Sequence, residues 1–228
     1  MLHQLPLPFK LQASFTFENF IPSDNQLVVD ALSDPSEPFI FLWGSQGSGK
    51  THLLQACCLS QAQLGKTASY LPLKELLDLS PAILEGMAGV DLVCIDDIEL
   101  AFGSADWEEA LFNLFNQIRQ AQGRLIVASN ASPQHAHIGL NDLKSRLSSG
   151  LPLDLKPLSD SSTISALQVR AQQLGLELNH DVANYLITHF PRDLPNLWRI
   201  IDELDHASLS AQRKLTIPFL KSALSNNG

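Results

Sequence analysis

The chain has 228 residues, 45% of them apolar, enough for one large domain or a medium one with a small companion. Its net charge of −9, with no run of Lys or Arg, argues against a direct grip on nucleic acid. Cys57, Cys58 and Cys94 are too few and too badly spaced for a zinc site or a disulfide framework, and there is neither a leader-like N-terminus nor a run of about 18 apolar residues for a membrane helix; a soluble, cytoplasmic protein is expected.

In chain order, the first feature is QLPLPF at residues 4–9, apolar but twice interrupted by proline. It is too broken for a helix and unsuited to a central strand, so residues 1–11 are expected to be an extended tail. FIFLWG (39–44) is a short buried-strand run ending in glycine, and THLLQACCLSQAQLG after it has helical spacing with a stop at Gly65. TASYLPL (67–73) predicts a strand and 74–87 a helix. DLVCIDD (91–97) is an apolar run closed by two acids. Residues 106–122 predict an amphipathic helix with Asp106 near its N-cap, and GRLIVASN (123–130) another buried strand. Such alternation predicts an α/β fold, a parallel sheet flanked by helices over 12–156. From LKPLSDSS onward strand signals cease. Helices are expected near 160–174, 180–189, 194–210 and 217–225, with Ser159 or Asp160, Asn179 and Thr216 as caps, so 157–228 reads as a small all-helical domain.

GSQGSGKT (44–51) fits G-x-x-x-x-G-K-[ST] in full, between a predicted strand and a predicted helix. Gly44, Gly47 and Gly49 let the backbone curl so that several N–H groups, with those of Ser48 and the helix start through His52, face one phosphate. Lys50 is placed to reach the β- and γ-phosphates and Thr51 to bind Mg²⁺. LVCIDD supplies the second half: Asp96 for the magnesium shell and Asp97 to orient a water. Asn130, at the end of the next strand, is placed to touch the γ-phosphate or that water, although a turn-forming asparagine explains it equally well on local grounds.

These residues, in this order, resemble the AAA+ ATPases and, more narrowly, their DnaA-related branch. FTFENFIPSDN (15–25) is similar to the segment leading into that branch's nucleotide site. LKSRLSSGL (143–151) is similar to its arginine-finger box, with Arg146 in the finger position. LDHASLSAQRKLTIPFLKSAL (204–224) is similar to the end of its helical lid. The resemblance implies an AAA+ P-loop core with a lid, binding ADP or ATP with Mg²⁺. Nothing in the chain matches the DNA-binding helix-turn-helix domain or the N-terminal interaction domain of full initiators.

Within that branch, the tail residues Gln4, Leu5, Leu7 and Phe9 resemble a peptide that docks on the sliding clamp of DNA polymerase III, its prolines lowering the ordering cost. The implied function is negative regulation of replication initiation: bound to the DNA-loaded clamp, the protein would insert Arg146 into the site of ATP-bound DnaA and stimulate hydrolysis there. Contact with DNA would be mostly through the clamp, no membrane is involved, and a homo-oligomer is compatible. The sensor arginine of AAA+ lids falls on Pro195, with Arg192 and Arg199 out of register, which implies weak intrinsic hydrolysis. Two other readings stay open: an ATP-driven helicase loader of the DnaC type, and an adaptor joining clamp and DnaA without finger chemistry.

Overall fold

A computed structural model of the protein describes residues 11–191, 194–211 and 215–225. Its Cα packing divides the chain into two compact units, one of the chain up to Ser45 with Gly49–Lys156, the other of Gln46–Ser48 with the chain from Pro157 onward. The first is built on β1 (Phe39–Trp43), β2 (Ala68–Pro72), β3 (Leu92–Asp96), β4 (Arg124–Ser129) and β5 (Leu151–Asp154), with α1 (Gln26–Ser33), α2 (Lys50–Gln63), α3 (Leu73–Leu76), α4 (Ala105–Gln120) and α5 (Asn141–Leu147). The strands form one parallel sheet in the order β2-β3-β4-β1-β5. Parallel pairing needs a crossover after each strand, which the intervening helices supply.

Alternation along each strand sorts the core into two layers. Phe39, Phe41, Val93, Ile95, Leu125 and Val127 pack with Trp107, Leu111 and Leu114 of α4 and Leu143 and Leu147 of α5. Ile40, Leu42, Leu92, Cys94, Ile126 and Ala128 pack with Val28 and Leu32 of α1 and Leu53, Leu54, Cys57 and Cys58 of α2. Buried on both faces, β1, β3 and β4 read as unbroken apolar runs. Arg124, buried at the start of β4, donates to the carbonyls of Leu32 (3.0 Å), Ala31 (3.2 Å), Asp34 (2.7 Å) and Glu37 (3.0 Å). It thereby satisfies the C-terminal carbonyls of α1 where a cation suits the helix dipole.

One expected helix is absent. Of residues 74–87 only Lys74–Leu76 belong to an α-helix; 3-10 turns follow at Pro81–Leu84 and Met87–Gly89. Pro81 denies the helix a donor, Ser80 is extended with its hydroxyl accepting from Ala82 N–H, and Gly86 has φ +84°. The N-cap position of α4 is Ser104, and Asp106 lies near it in the first turn.

The second unit holds α6 (Asp160–Gln173), α7 (His180–His189), α8 (Leu194–Ala211) and α9 (Ile217–Ser225) around their own core, which includes Leu167, Leu186, Leu197, Ile201, Leu204 and Leu220. Ser159 Oγ accepts from Ser162 N–H at 3.2 Å, and Asn179 Oδ1 from Val182 N–H at 2.9 Å, capping α6 and α7. Among the described residues no helix is long and apolar enough to cross a membrane.

Candidate nucleotide site

Three neighbouring parallel strands end together, and their C-terminal ends carry the chemistry. The loop after β1 is Gly44–Gly49, β3 ends at Asp96, and β4 is followed by Asn130. In an open parallel sheet this is the edge at which ligands bind. Gly44 N–H donates to Ser129 O (3.2 Å), tying the loop to β4. Gly47 and Gly49 have φ +79° and +102°. At Gly49 a Cβ would also stand 2.7 Å from Phe20 Cε2, so a side chain is excluded twice over. Ser48 Oγ is buried without a hydrogen-bond partner among the described residues.

Lys50 is buried, yet all three of its ammonium hydrogens have acceptors: Gly44 O (2.8 Å), Ser45 O (3.0 Å) and Asn130 Oδ1 (2.9 Å). Burial lowers its pKa, against the opposing pull of Asp96, Glu99 and Asp97. Asp96 is also buried. Its Oδ2 accepts from Thr51 Oγ1 (2.6 Å) and Tyr70 OH (2.8 Å), and its Oδ1 from Asp97 N–H (3.1 Å). Burial, with the neighbouring Asp96 charge, pushes the Tyr70 phenol up. Asp97 has φ +54°, a conformation non-glycine residues avoid. Its pKa is raised by burial first and then by Asp96 and Glu99.

The adjoining hydroxyl of Thr51 and carboxylate of Asp96 fit Mg²⁺, which takes one or two protein oxygens and completes its shell with water and phosphate. Among the described residues no group of three or more His, Cys, Asp or Glu forms a metal site built from protein alone.

His52, next in α2, faces away from this cluster onto the segment before α1. Its ring stacks on Phe15 (4.7 Å between centroids, 12° between planes) and meets Phe20 edge-on at 5.3 Å. Its Nε2 donates to Thr16 O at 2.8 Å, and burial lowers its pKa. With Gln12 N–H on Gln55 Oε1 (2.8 Å), these contacts bind residues 12–20 to α2.

Sequence reasoning missed Glu99 and Tyr70. Glu99, in a 3-10 turn directly after the acid pair, accepts on Oε1 from Asn130 N–H (3.2 Å) and, in a short bond, from Asn130 Nδ2. Its place two residues past Asp97 was the available signal. Tyr70 stands in β2 at the register position of Cys94, within reach of Asp96 only because of the strand pairing.

Arg146 lies elsewhere, near the C-terminal end of α5, half-buried with its Cζ 5.9 Å from the ring centroid of Phe115 in α4. Gln4, Leu5, Leu7, Phe9 and Arg192 lie outside the described residues. Pro195 occupies the second position of α8, where a missing N–H is tolerated. Arg199 is engaged within that helix, with Glu203 and with Asn196 Oδ1 (3.1 Å).

Residues 11–154 match the family model described as the bacterial DnaA ATPase domain, and residues 160–224 match that of the Hda lid domain. Domain III of the replication initiation protein DnaA from Thermotoga maritima is similar in fold, with a TM-score of 0.78 at 23% identity over 96% of this chain and 98% of that one. An AMPPCP-bound DnaA from Aquifex aeolicus gives 0.72 at 24% identity, over 87% and 67%. The Holliday junction branch migration motor RuvB of Thermotoga maritima gives 0.69 at 15%, over 92% and 71%.

Proposed function

Because the chain belongs to the bacterial DnaA ATPase-domain family and continues into an Hda lid domain, we propose that it is a negative regulator of replication initiation that stimulates ATP hydrolysis on DnaA. The observation that carries this reading is the union of those two matches in one chain. The first favours a partner of the same architecture, and the second separates the chain from initiators as such.

In this reading the phosphate loop holds an adenine nucleotide, as the Aquifex aeolicus relative holds AMPPCP. The loop N–H groups and Lys50 receive phosphate oxygens, and Thr51 with Asp96 receives Mg²⁺. When bound, the cation would screen phosphate charge; the chain's own contribution is to position it with Thr51 and Asp96. Pro195 provides no donor to the nucleotide and Arg199 is engaged within α8, which supports weak intrinsic turnover. The acting group is then Arg146, supplied to the γ-phosphate of DnaA-bound ATP, where a planar guanidinium stabilises the charge developing in the transition state. Gln4, Leu5, Leu7 and Phe9 tether the protein to the DNA-loaded clamp in the cytoplasm and so link inactivation of DnaA to ongoing synthesis.

The test is release of labelled γ-phosphate from DnaA-bound ATP in a mixture of DnaA, clamp loaded on DNA and this protein, each omitted in turn. Hydrolysis should require all three. Full release without this protein, or at an unchanged rate without the clamp, overturns the reading.

A further inference from the structure

Two matched spacings bring four side chains together between α2 and the β2–β3 pair. Thr51 and Gln55 lie four residues apart on one face of α2, a rise of about 6 Å. On the strands, Tyr70 pairs with Cys94 and Pro72 with Asp96, so Tyr70 and Asp96 are offset by two residues, about 6.6 Å. Thr51 therefore meets Asp96 while Gln55 meets Tyr70, and the phenol reaches diagonally across the strand pair to Asp96.

Donor and acceptor roles along this chain are fixed from both ends. A backbone N–H can only donate, so the Gln55 atom that meets Gln12 N–H at 2.8 Å is Oε1. Its amide nitrogen is left for the side-chain hydrogen bond with the Tyr70 hydroxyl. At the other end a carboxylate can only accept, so the single phenol proton lies on Asp96 Oδ2, at 2.8 Å. The phenol oxygen accepts from Gln55, which keeps that proton from turning elsewhere. Gln55 is buried and Tyr70 half-buried, so water competes little for either.

The carboxylate's own accounting gives this a consequence. It offers about four acceptor positions. Thr51 Oγ1 and Tyr70 OH take the two on Oδ2, and Asp97 N–H takes one on Oδ1. The open position is thus on Oδ1. Gripped by hydroxyls from α2 on one side and β2 on the other, Oδ2 cannot exchange places with it.

We propose that Tyr70 is a positioning residue for the magnesium site: its hydroxyl, oriented by Gln55, fixes the Asp96 carboxylate so that one acceptor position on Oδ1 stays free for the cation's shell. The proposal rests on the phosphate-loop reading and deepens it. Without the hydroxyl a second position opens on Oδ2, and the carboxylate can turn about its own axis. The buried acid is still present, but it is no longer aimed.

The experiment is calorimetric titration of the full chain with ADP, in EDTA and at stepped Mg²⁺ concentrations. Mg²⁺ should tighten ADP binding by the wild type. Tyr70→Phe should raise the Mg²⁺ concentration that gives half of this gain about 10-fold, the usual loss when a group orienting a metal ligand is removed. Its affinity for ADP in EDTA should stay close to wild type, whereas a merely structural Tyr70 would weaken binding alike with and without the cation. Gln55→Met leaves the phenol proton free to turn and should shift the Mg²⁺ half-point the same way by a smaller factor. Added to Tyr70→Phe, it should change the half-point no further. ADP binding by the wild type that is indifferent to Mg²⁺, an unchanged half-point in Tyr70→Phe, equal weakening in EDTA and in Mg²⁺, or additive effects of the two substitutions each overturn the proposal. Absence of any ADP binding by the folded wild type would instead overturn the phosphate-loop reading beneath it.

Discussion

Glu108 Oε2 accepts the backbone N–H of Leu140 at 2.6 Å, and through this bond α4 fixes the residue from which α5 departs. Oε1 of the same buried carboxylate accepts from Gly103 (2.8 Å) and Gly139 (3.0 Å). Burial would raise its pKa, but the three backbone donors outweigh that and hold it below the usual glutamate value. Glu108→Ala strands three donors and should destabilise the protein by about 2–4 kcal/mol in denaturant unfolding at pH 7. Because the folded pKa is lowered, this stabilisation is present above the unfolded-state value and is lost as pH falls through the folded one. The gap between wild type and Glu108→Gln should therefore close on acidification below about pH 4.5. A gap that stays constant to pH 3 would remove the carboxylate from this role.

Lys50→Ala should weaken ADP binding at least about 10-fold while the melt stays cooperative, because Gly47, Gly49 and the Gly44–Ser129 bond still shape the loop once the ammonium's bonds to Gly44 O and Ser45 O are lost. Since burial lowers the Lys50 pKa, the wild-type affinity should also begin to decline at alkaline pH, below the range of an ordinary lysine. Calorimetry across pH reads both. Unchanged affinity in a folded Lys50→Ala protein contradicts the assignment.

The fold was legible wherever a local signal coincided with its tertiary use. β1, β3 and β4 are buried on both faces and so are continuous apolar runs, and the lid helices begin at Ser159 and Asn179, whose side chains make the expected caps. What escaped notice depends on partners distant in sequence. β5 contains Pro152 and is tolerable only as an edge strand paired with β1 alone. α1 is an eight-residue helix, and its end is completed by Arg124, some 90 positions away. At the site, the glycine-rich loop and the acid pair announce themselves because phosphate chemistry fixes their spacing. Glu99 does not, because its role exists only once β3 and β4 lie side by side and bring Asn130 to it.

Deleting residues 1–10 should abolish binding to the sliding clamp while shifting Tm by no more than about 2 °C, since the deletion spares Leu11, packed on the core, and the bond of Gln12 N–H to Gln55. Gln4→Ala with Leu5→Ala should act similarly, by removing the polar anchor and the pocket filler. Retention of full clamp binding by the truncated protein would leave the tail without this role.

Arg146 separates the proposed mechanism from its rivals. It projects from α5 onto Phe115, held there by a cation–π contact, on a helix whose start is fixed by Glu108. At a half-exposed site that contact is worth about 0.5–1 kcal/mol, so Arg146→Ala should lower Tm by only about 1–4 °C. Phe115→Leu should remove the same contact with a separate cost in packing, since Phe115 also meets Phe39 edge-on at 4.9 Å. If Arg146 acts on DnaA-bound ATP, Arg146→Ala keeps nucleotide and clamp binding and loses at least about 10-fold in stimulated hydrolysis, about 1.4 kcal/mol of transition-state stabilisation. Arg146→Lys restores little, because a point charge replaces a planar fork. A structural Arg146 would instead depress Tm, binding and stimulation together, and Arg146→Lys, which keeps a cation over the ring, would restore all three. Wild-type stimulation by a folded Arg146→Ala protein would discard the finger and leave an adaptor that only brings clamp and DnaA together.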